Sequence, residues 1–108
     1  MTYGLPQHTI DQICAVLAQH PEVERALLYG SRAKGNYRPG SDIDLTLLGA
    51  SLTPRLCATI AEALDDLLLP YTIDLSLFAQ LQHPDLEAHI QRVGRVFFAR
   101  EHGSAKRD

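Results

Sequence analysis

Residues 25–48 constrain the fold more than any other segment of this 108-residue chain. A short apolar run, 25–29, ends at Gly30-Ser31, and a loop that contains Asn, Pro and Gly follows. From 42 to 48 the residues then alternate between polar and apolar. Successive side chains of a strand point to opposite faces, so this alternation predicts a strand with one polar and one apolar face. The segment therefore predicts two strands joined through a Gly-Ser turn.

Asp42 and Asp44 are the first candidates for a functional site. One residue apart in a strand, they would project side by side and repel each other unless a cation lies between them. Oxygen ligands suit Mg²⁺ or Mn²⁺, which complete their coordination with substrate phosphates and water. Gly30 and Ser31 offer a flexible backbone that can approach a phosphate and donate N–H groups to it. The pattern predicts a site for a nucleoside triphosphate and its metal.

Asp74 occupies the same kind of position in a later alternating segment, 71–77. If the two strands pair, all three carboxylates project from the polar face of one sheet. Two-metal phosphoryl-transfer sites use such clusters to hold ions about 3.5–4 Å apart. We expect Asp42 and Asp44 to bridge both metals and Asp74 to hold the catalytic metal.

The rest of the chain reads as helices and one further strand. The predicted elements are a helix over 6–19 with Pro6 in its first turn, a helical turn over 31–35, a helix from 53 that ends before Pro70, a helix from 83 to 93, and a strand over 96–98. This order predicts an α/β (α+β) fold, with a small mixed sheet and helices packed mainly on one face. We expect one domain over residues 1–100 and a polar, disordered tail over 101–108.

Composition excludes some classes of function. A net charge of −3 and a pI of about 5.9 argue against a broad nucleic-acid-binding surface. Cys14 and Cys57 fall in helical segments, where we expect them to pack unbridged, as in a reducing compartment. The sequence has no signal-peptide pattern and no apolar run of membrane-spanning length. We expect a cytoplasmic protein with no membrane partner.

The motif resembles a known active site. Gly30-Ser31, Asp42-Ile43-Asp44 and the later Asp74 resemble the signature of DNA polymerase β-type nucleotidyltransferases. The surrounding Tyr-Gly-Ser-Arg-Ala-Lys-Gly and Ser-Asp-Ile-Asp-Leu are most similar to the minimal nucleotidyltransferases (MNT) of bacteria and archaea, and the resemblance spans residues 10–98. It implies a polymerase β-like fold, ATP as substrate and a helical HEPN protein as partner. In that family the MNT protein is an antitoxin that transfers AMP to a tyrosine of the HEPN toxin.

The resemblance also implies roles for individual residues. Catalysis and metal binding are assigned to Asp42, Asp44 and Asp74, and triphosphate binding to Gly30 and Ser31. Arg32 and Ser41 are further nucleotide-binding candidates on the chemistry of their side chains. Arg32 suits a bidentate phosphate contact, against the alternative of a solvated turn. The hydroxyl of Ser41 either orients Asp42 through a hydrogen bond or only ends the loop.

Two functions from different classes remain open on the sequence. The first is a metal-dependent enzyme that transfers AMP from ATP to a partner's hydroxyl, and the complete set of three aspartates favours it. The second is a catalytically silent nucleotide-binding or scaffolding subunit that neutralises its partner by contact alone. The short chain disfavours a free-standing aminoglycoside or tRNA nucleotidyltransferase. We therefore expect a hetero-oligomer, in which the last helix or the 32–41 loop faces the partner.

Overall fold

Helices and strands alternate along the chain in a computed structural model that describes residues 2–100. The elements are α1 (Gln7–Ala18), β1 (Arg25–Tyr29), the single-turn α2 (Ser31–Lys34), β2 (Ile43–Leu48), α3 (Pro54–Asp65), β3 (Ile73–Leu77), α4 (Pro84–Val93) and β4 (Arg95–Ala99). The four strands form one sheet in the order β3-β2-β1-β4. β1 runs antiparallel to β2 and β4, whereas β2 and β3 are parallel and connected through α3. The mixed sheet confirms the predicted fold class.

The main core lies against one face of this sheet. Leu28 and Leu45 are fully buried in it together with residues of α1 and α3, among them Ile13, Leu17 and Ile60. α4 packs against β1, and its buried Ile90 lies outside the main cluster. The helices therefore cover mainly one face, and part of the other face remains available for a site.

Local signals explain where two of the helices start. The Thr53 hydroxyl accepts a hydrogen bond from the Leu56 N–H at 3.1 Å, and Pro54 occupies the first helical position, as predicted. His83 Nδ1 accepts in the same way from the Leu86 N–H at 3.1 Å at the start of α4. Each cap satisfies a backbone donor that the helix itself leaves unpaired.

Several predicted boundaries shift by one or two residues. Pro6 precedes α1 in an extended conformation (φ −62°, ψ 149°), so the prediction that it lies within the first turn is wrong. β2 starts at Ile43 and β3 at Ile73, which places Asp42 directly before its strand. The closing strand is confirmed and longer than expected. A 3₁₀ turn, Phe78–Gln80, was not predicted.

An arginine anchors the end of the sheet opposite Gly30. The Arg100 guanidinium donates to the carbonyl oxygens of His20 and Val23 at 3.0 and 3.1 Å, and it lies 5.4 Å from the ring centre of Phe98. These contacts fasten the connection between α1 and β1 to the last strand. Arg100 therefore stabilises the fold at a distance from the carboxylates.

Within residues 2–100 no helix combines the length and the apolar character needed to cross a membrane. Cys14 and Cys57 are both free thiols, as expected. The predicted tail, 101–108, lies outside the described residues.

Candidate active site

Strand pairing brings the predicted carboxylates together. Asp44 lies between Tyr29 of β1 and Asp74 of β3 in the register of the sheet. Residues paired across neighbouring strands share a face, so Asp44 and Asp74 project on the same side. Asp42 precedes Asp44 by two residues and is close enough for its charge to act on that carboxyl. The strand pairing thus confirms the predicted shared face for Asp44 and Asp74, whereas Asp42 lies directly before β2.

Electrostatic repulsion is built into this cluster. Asp44 is half-buried, whereas Asp42 and Asp74 are exposed. Burial raises the pKa of Asp44 above its usual value of 3.8, and the negative charges of Asp74 and then Asp42 raise it further. The ionised cluster is therefore unfavourable without a cation, which would offset both the repulsion and the desolvation.

Gly30 is required by its contact with Asp44. Its backbone has φ 76° and ψ −155°, a conformation that residues with a side chain rarely adopt. A Cβ atom at this position would overlap Oδ2 of Asp44 and lie 3.3 Å from its Cγ. The Gly-Ser turn therefore brings the backbone directly against the central carboxylate, with Ser31 as the first residue of α2.

Two further polar groups lie on the same face of the sheet. Tyr29 is only 9% exposed, and burial together with the charges of Asp44 and Asp74 raises the pKa of its phenol. Thr46 is completely buried, and its hydroxyl has no hydrogen-bond partner among the described residues. Thr46 was not predicted as a site residue, because its place in the strand pattern gives no sign that the hydroxyl lacks a partner.

Arg32 has surroundings that the sequence did not reveal. It is 3% exposed, and its guanidinium donates to the carbonyl oxygens of Ser41 and Tyr3. The rings of Tyr37 and Tyr71 flank it. The competing interpretation of a solvated turn is wrong for this residue, while its predicted phosphate contact stays a prediction. The tyrosines are far apart in the sequence, so no local pattern links them to Arg32.

Ser41 ends the loop through both of its oxygens. Its hydroxyl accepts a hydrogen bond from the Arg38 N–H at 2.8 Å, and its carbonyl accepts from Arg32. This geometry favours the loop-ending interpretation over direct orientation of Asp42. The role of Ser41 in nucleotide binding stays a prediction.

The donor set fits a hard divalent cation, although the ligands are not fully assembled. Among residues 2–100, no three His, Cys, Asp or Glu side chains already lie close enough to hold a metal ion. Asp42 and Asp74 are exposed, so their rotamers can adjust, and Asp44 is fixed against Gly30. Carboxylate oxygens are the ligands that Mg²⁺ and Mn²⁺ prefer, and a bound cation would offset the repulsion between them.

Comparisons with known proteins identify the family and the fold of this chain. Residues 11–103 match the family Polymerase beta, Nucleotidyltransferase. The match covers most of the chain, and the chain belongs to this nucleotidyltransferase family. Among curated proteins, no sequence matches it significantly.

The fold is similar to that of chains in solved structures of toxin-antitoxin complexes. A chain in a crystal structure of a toxin-antitoxin with AMP-PNP superposes with a TM-score of 0.69 at 21% identity, over 89% of this chain and 77% of the other. A chain of the MntA-HepT toxin-antitoxin gives 0.66 at 20% identity, over 93% and 78%. A chain of the tri-AMPylated Shewanella oneidensis HEPN toxin in complex with MNT antitoxin gives 0.65 at 20%, over 92% and 76%. The resemblance to minimal nucleotidyltransferases is thereby confirmed at the level of the fold.

Proposed function

We propose that this protein transfers AMP from ATP to a hydroxyl group of a HEPN-type partner protein and thereby acts as an antitoxin. The acceptor that we propose is a tyrosine hydroxyl. The observation that carries the proposal is the contact of Gly30 with Asp44, a carboxylate that pairs with Asp74 in the sheet and is near enough to Asp42 to be affected by its charge. Membership of the nucleotidyltransferase family supports the reaction class. The similar structures, which contain an ATP analogue or an AMPylated HEPN toxin, support ATP and the protein acceptor.

Asp42, Asp44 and Asp74 would hold Mg²⁺ or Mn²⁺. A bound divalent cation would supply charge neutralisation for the phosphates and would favour deprotonation of the acceptor hydroxyl. The contribution of the protein is mainly positioning, because phosphoryl-transfer reactions require little covalent chemistry from the enzyme. Gly30 and Ser31 would face the triphosphate across the turn, as the sequence predicts.

The position of Asp74 suits an acceptor that comes from another molecule. β3 is an edge strand, and Asp74 is exposed on it. A tyrosine hydroxyl of a partner could approach this edge without displacing any helix that covers the core. The exposed edge thus gives a protein acceptor access to Asp74. We propose that the reaction takes place in the cytoplasm.

Label transfer tests the proposed function. The protein is co-purified with the product of its neighbouring gene and incubated with Mg²⁺ and ATP labelled at the α- or the γ-phosphate. We expect protein-bound label from the α-phosphate only, and its loss in Asp42→Ala. Absence of label from both positions, with a stable complex still present, would refute the enzyme and support a subunit that neutralises its partner by binding alone.

A further inference from the structure

Arg32 lies where the segments that carry the site come together. It belongs to α2, the helix that directly follows Gly30. Its Nε and Nη2 atoms donate to the carbonyl oxygen of Ser41 at 3.1 and 2.8 Å. Ser41 is the residue before Asp42, so one side chain fastens the end of the loop to the turn that contacts Asp44.

The same guanidinium contacts the segment that leads to Asp74. Its Cζ atom lies 5.2 Å from the ring centre of Tyr71 and 5.3 Å from that of Tyr37. Tyr71 precedes β3, and the neighbouring carbonyl of Thr72 accepts from the Ile43 N–H at 2.9 Å. The starts of β2 and β3 are thus tied to each other and to Arg32.

The N-terminal turn, residues 2–5, also contacts Arg32. Nη1 donates to the carbonyl oxygen of Tyr3 at 2.8 Å. Gly4 follows with φ 74°, and a Cβ there would collide with the Tyr37 ring. Each of the three guanidinium nitrogens donates to a backbone carbonyl, which uses three of its five N–H groups, and two aromatic rings lie beside it. Because Arg32 is only 3% exposed, a phosphate would reach the two remaining N–H groups only if this cluster opened.

We infer that Arg32 is a positioning residue for nucleotidyl transfer, which holds the segments before Asp42 and Asp74 at the spacing that metal binding requires. The inference rests on the proposed function, since it assigns Arg32 to that site. Three carboxylates that repel one another tend to separate, and the other hydrogen bonds of the loop over 36–41 are local, between Arg38 and Ser41 and from the Asn36 N–H to the Ser31 carbonyl. Only arginine combines a planar fork of donors with two faces that stack on aromatic rings.

Conservative substitution distinguishes positioning from phosphate binding. Arg32→Lys keeps the positive charge and loses the fork. Arg100→Lys is the matched control, because Arg100 also donates to carbonyls and stacks on a ring, but at the opposite end of the sheet. Lys34→Ala removes an exposed charge from the same helix as Arg32. Each full-length variant is titrated with Mn²⁺ alone, and binding is followed by electron paramagnetic resonance. The kinetics of AMP transfer to the co-purified partner are then measured with Mg²⁺ and ATP.

We expect Arg32→Lys to bind Mn²⁺ about 10–100-fold more weakly and to lose kcat by a similar factor, with the KM for ATP unchanged. Arg100→Lys should have a lower melting temperature and normal Mn²⁺ affinity. Lys34→Ala should match the wild type in melting temperature and in Mn²⁺ affinity. The inference is overturned if Arg32→Lys binds Mn²⁺ like the wild type and raises the KM for ATP, since Arg32 then contacts the phosphates.

A second variant covers the case in which Arg32→Lys does not fold. Tyr71→Leu removes one of the two stacking rings and keeps every hydrogen bond of Arg32, so we expect about two- to fivefold weaker Mn²⁺ binding. Wild-type Mn²⁺ affinity in folded Tyr71→Leu would then overturn the inference. If the wild type binds Mn²⁺ and transfers no label, the proposed function fails while the loss of Mn²⁺ in Arg32→Lys still supports positioning. Absence of Mn²⁺ binding in the wild type would overturn both.

Discussion

The two faces of β2 follow opposite physical rules. On one face Leu45 is fully buried against α1 and α3, and burial of such a side chain stabilises the fold by about 1.5–3 kcal/mol. On the other face Asp44 is half-buried, and its pKa is raised first by burial and then by the charges of Asp74 and Asp42. Neighbouring residues of a single strand therefore stabilise the protein in one case and destabilise it in the other.

This difference separates stability from function within six residues of β2. The apolar face can be judged by burial alone, whereas the polar face contains charges that a stable fold does not need. Unfavourable local choices of this kind concentrate at functional sites, where a ligand offsets their cost. Substitutions on the two faces should therefore affect different measurements.

The largest effect is expected for Asp44→Asn. We predict at least about a 1,000-fold loss of label transfer, equivalent to about 4 kcal/mol in the barrier, with equal or higher stability in the absence of metal. The amide keeps the shape of the side chain and removes the repulsion from Asp42 and Asp74. Label transfer and chemical denaturation are measured in parallel, and Asp66→Asn, an exposed acid at the end of α3, serves as the control. Unfolding of Asp44→Asn, or full activity, would contradict the metal assignment.

Leu45→Ala should show the opposite pattern. We expect a loss of about 3 kcal/mol in the free energy of unfolding, because the substitution leaves a cavity in the core. Transfer per folded molecule should stay near that of the wild type, since the polar face is unchanged. Denaturation by urea measures the first quantity and labelling at saturating ATP the second. A large loss of activity in the folded fraction would show that the two faces are coupled.

Gly30→Ala should have an intermediate effect on both properties. The backbone of Gly30 (φ 76°, ψ −155°) lies in a region almost restricted to glycine and costs about 1–3 kcal/mol for a residue with a Cβ, and the new methyl group displaces the Asp44 carboxylate. Gly35→Ala is the matched control, because Gly35 has φ 88° and its added methyl group would meet nothing within 4 Å beyond its chain neighbours. Both variants should lose stability, and only Gly30→Ala should lose transfer. Equal activity in the two variants would argue against the importance of the Gly30–Asp44 contact.

The smallest effect is a pH dependence of stability without metal. The folded-state pKa of Asp44 is raised, so the folded protein binds the proton more tightly than the unfolded chain. The stabilisation from the protonated form is complete below the usual value of 3.8 and is lost as the pH rises through the raised pKa. Melting temperatures of the wild type and Asp44→Asn should therefore diverge above pH 3.8, with the wild type losing more. Parallel curves would contradict the raised pKa.

Most of the fold could be predicted from local sequence patterns. Alternation identified β2 and β3, and Thr53-Pro54 identified the start of α3, because these signals depend on neighbouring residues. Strand ends were less accurate, since Asp42 satisfies the alternation but lies outside the hydrogen-bonded ladder. The three carboxylates could be predicted together because strand pairing keeps residues of one face together.

The surroundings of Arg32 could not be predicted from such patterns. Its partners Tyr3, Ser41 and Tyr71 come from three separate segments of the chain. The sequence suggested a phosphate ligand because arginine after a Gly-Ser turn is suited to that contact. The structure places the guanidinium in a buried cluster, and these surroundings depend on contacts between distant residues.

Local sequence patterns were sufficient to predict the elements and the composition of the site: a Gly-Ser turn, two aspartates at the start of one strand and a third in another. These features follow from polarity, periodicity and backbone freedom, which act over a few residues. The folded chain was needed to show that Gly30 contacts Asp44, that Asp74 lies beside Asp44 in register and that the rings of Tyr37 and Tyr71 lie next to Arg32. Those relations depend on how the strands pair and how the loops pack, and distances between remote segments leave no periodic trace in the sequence.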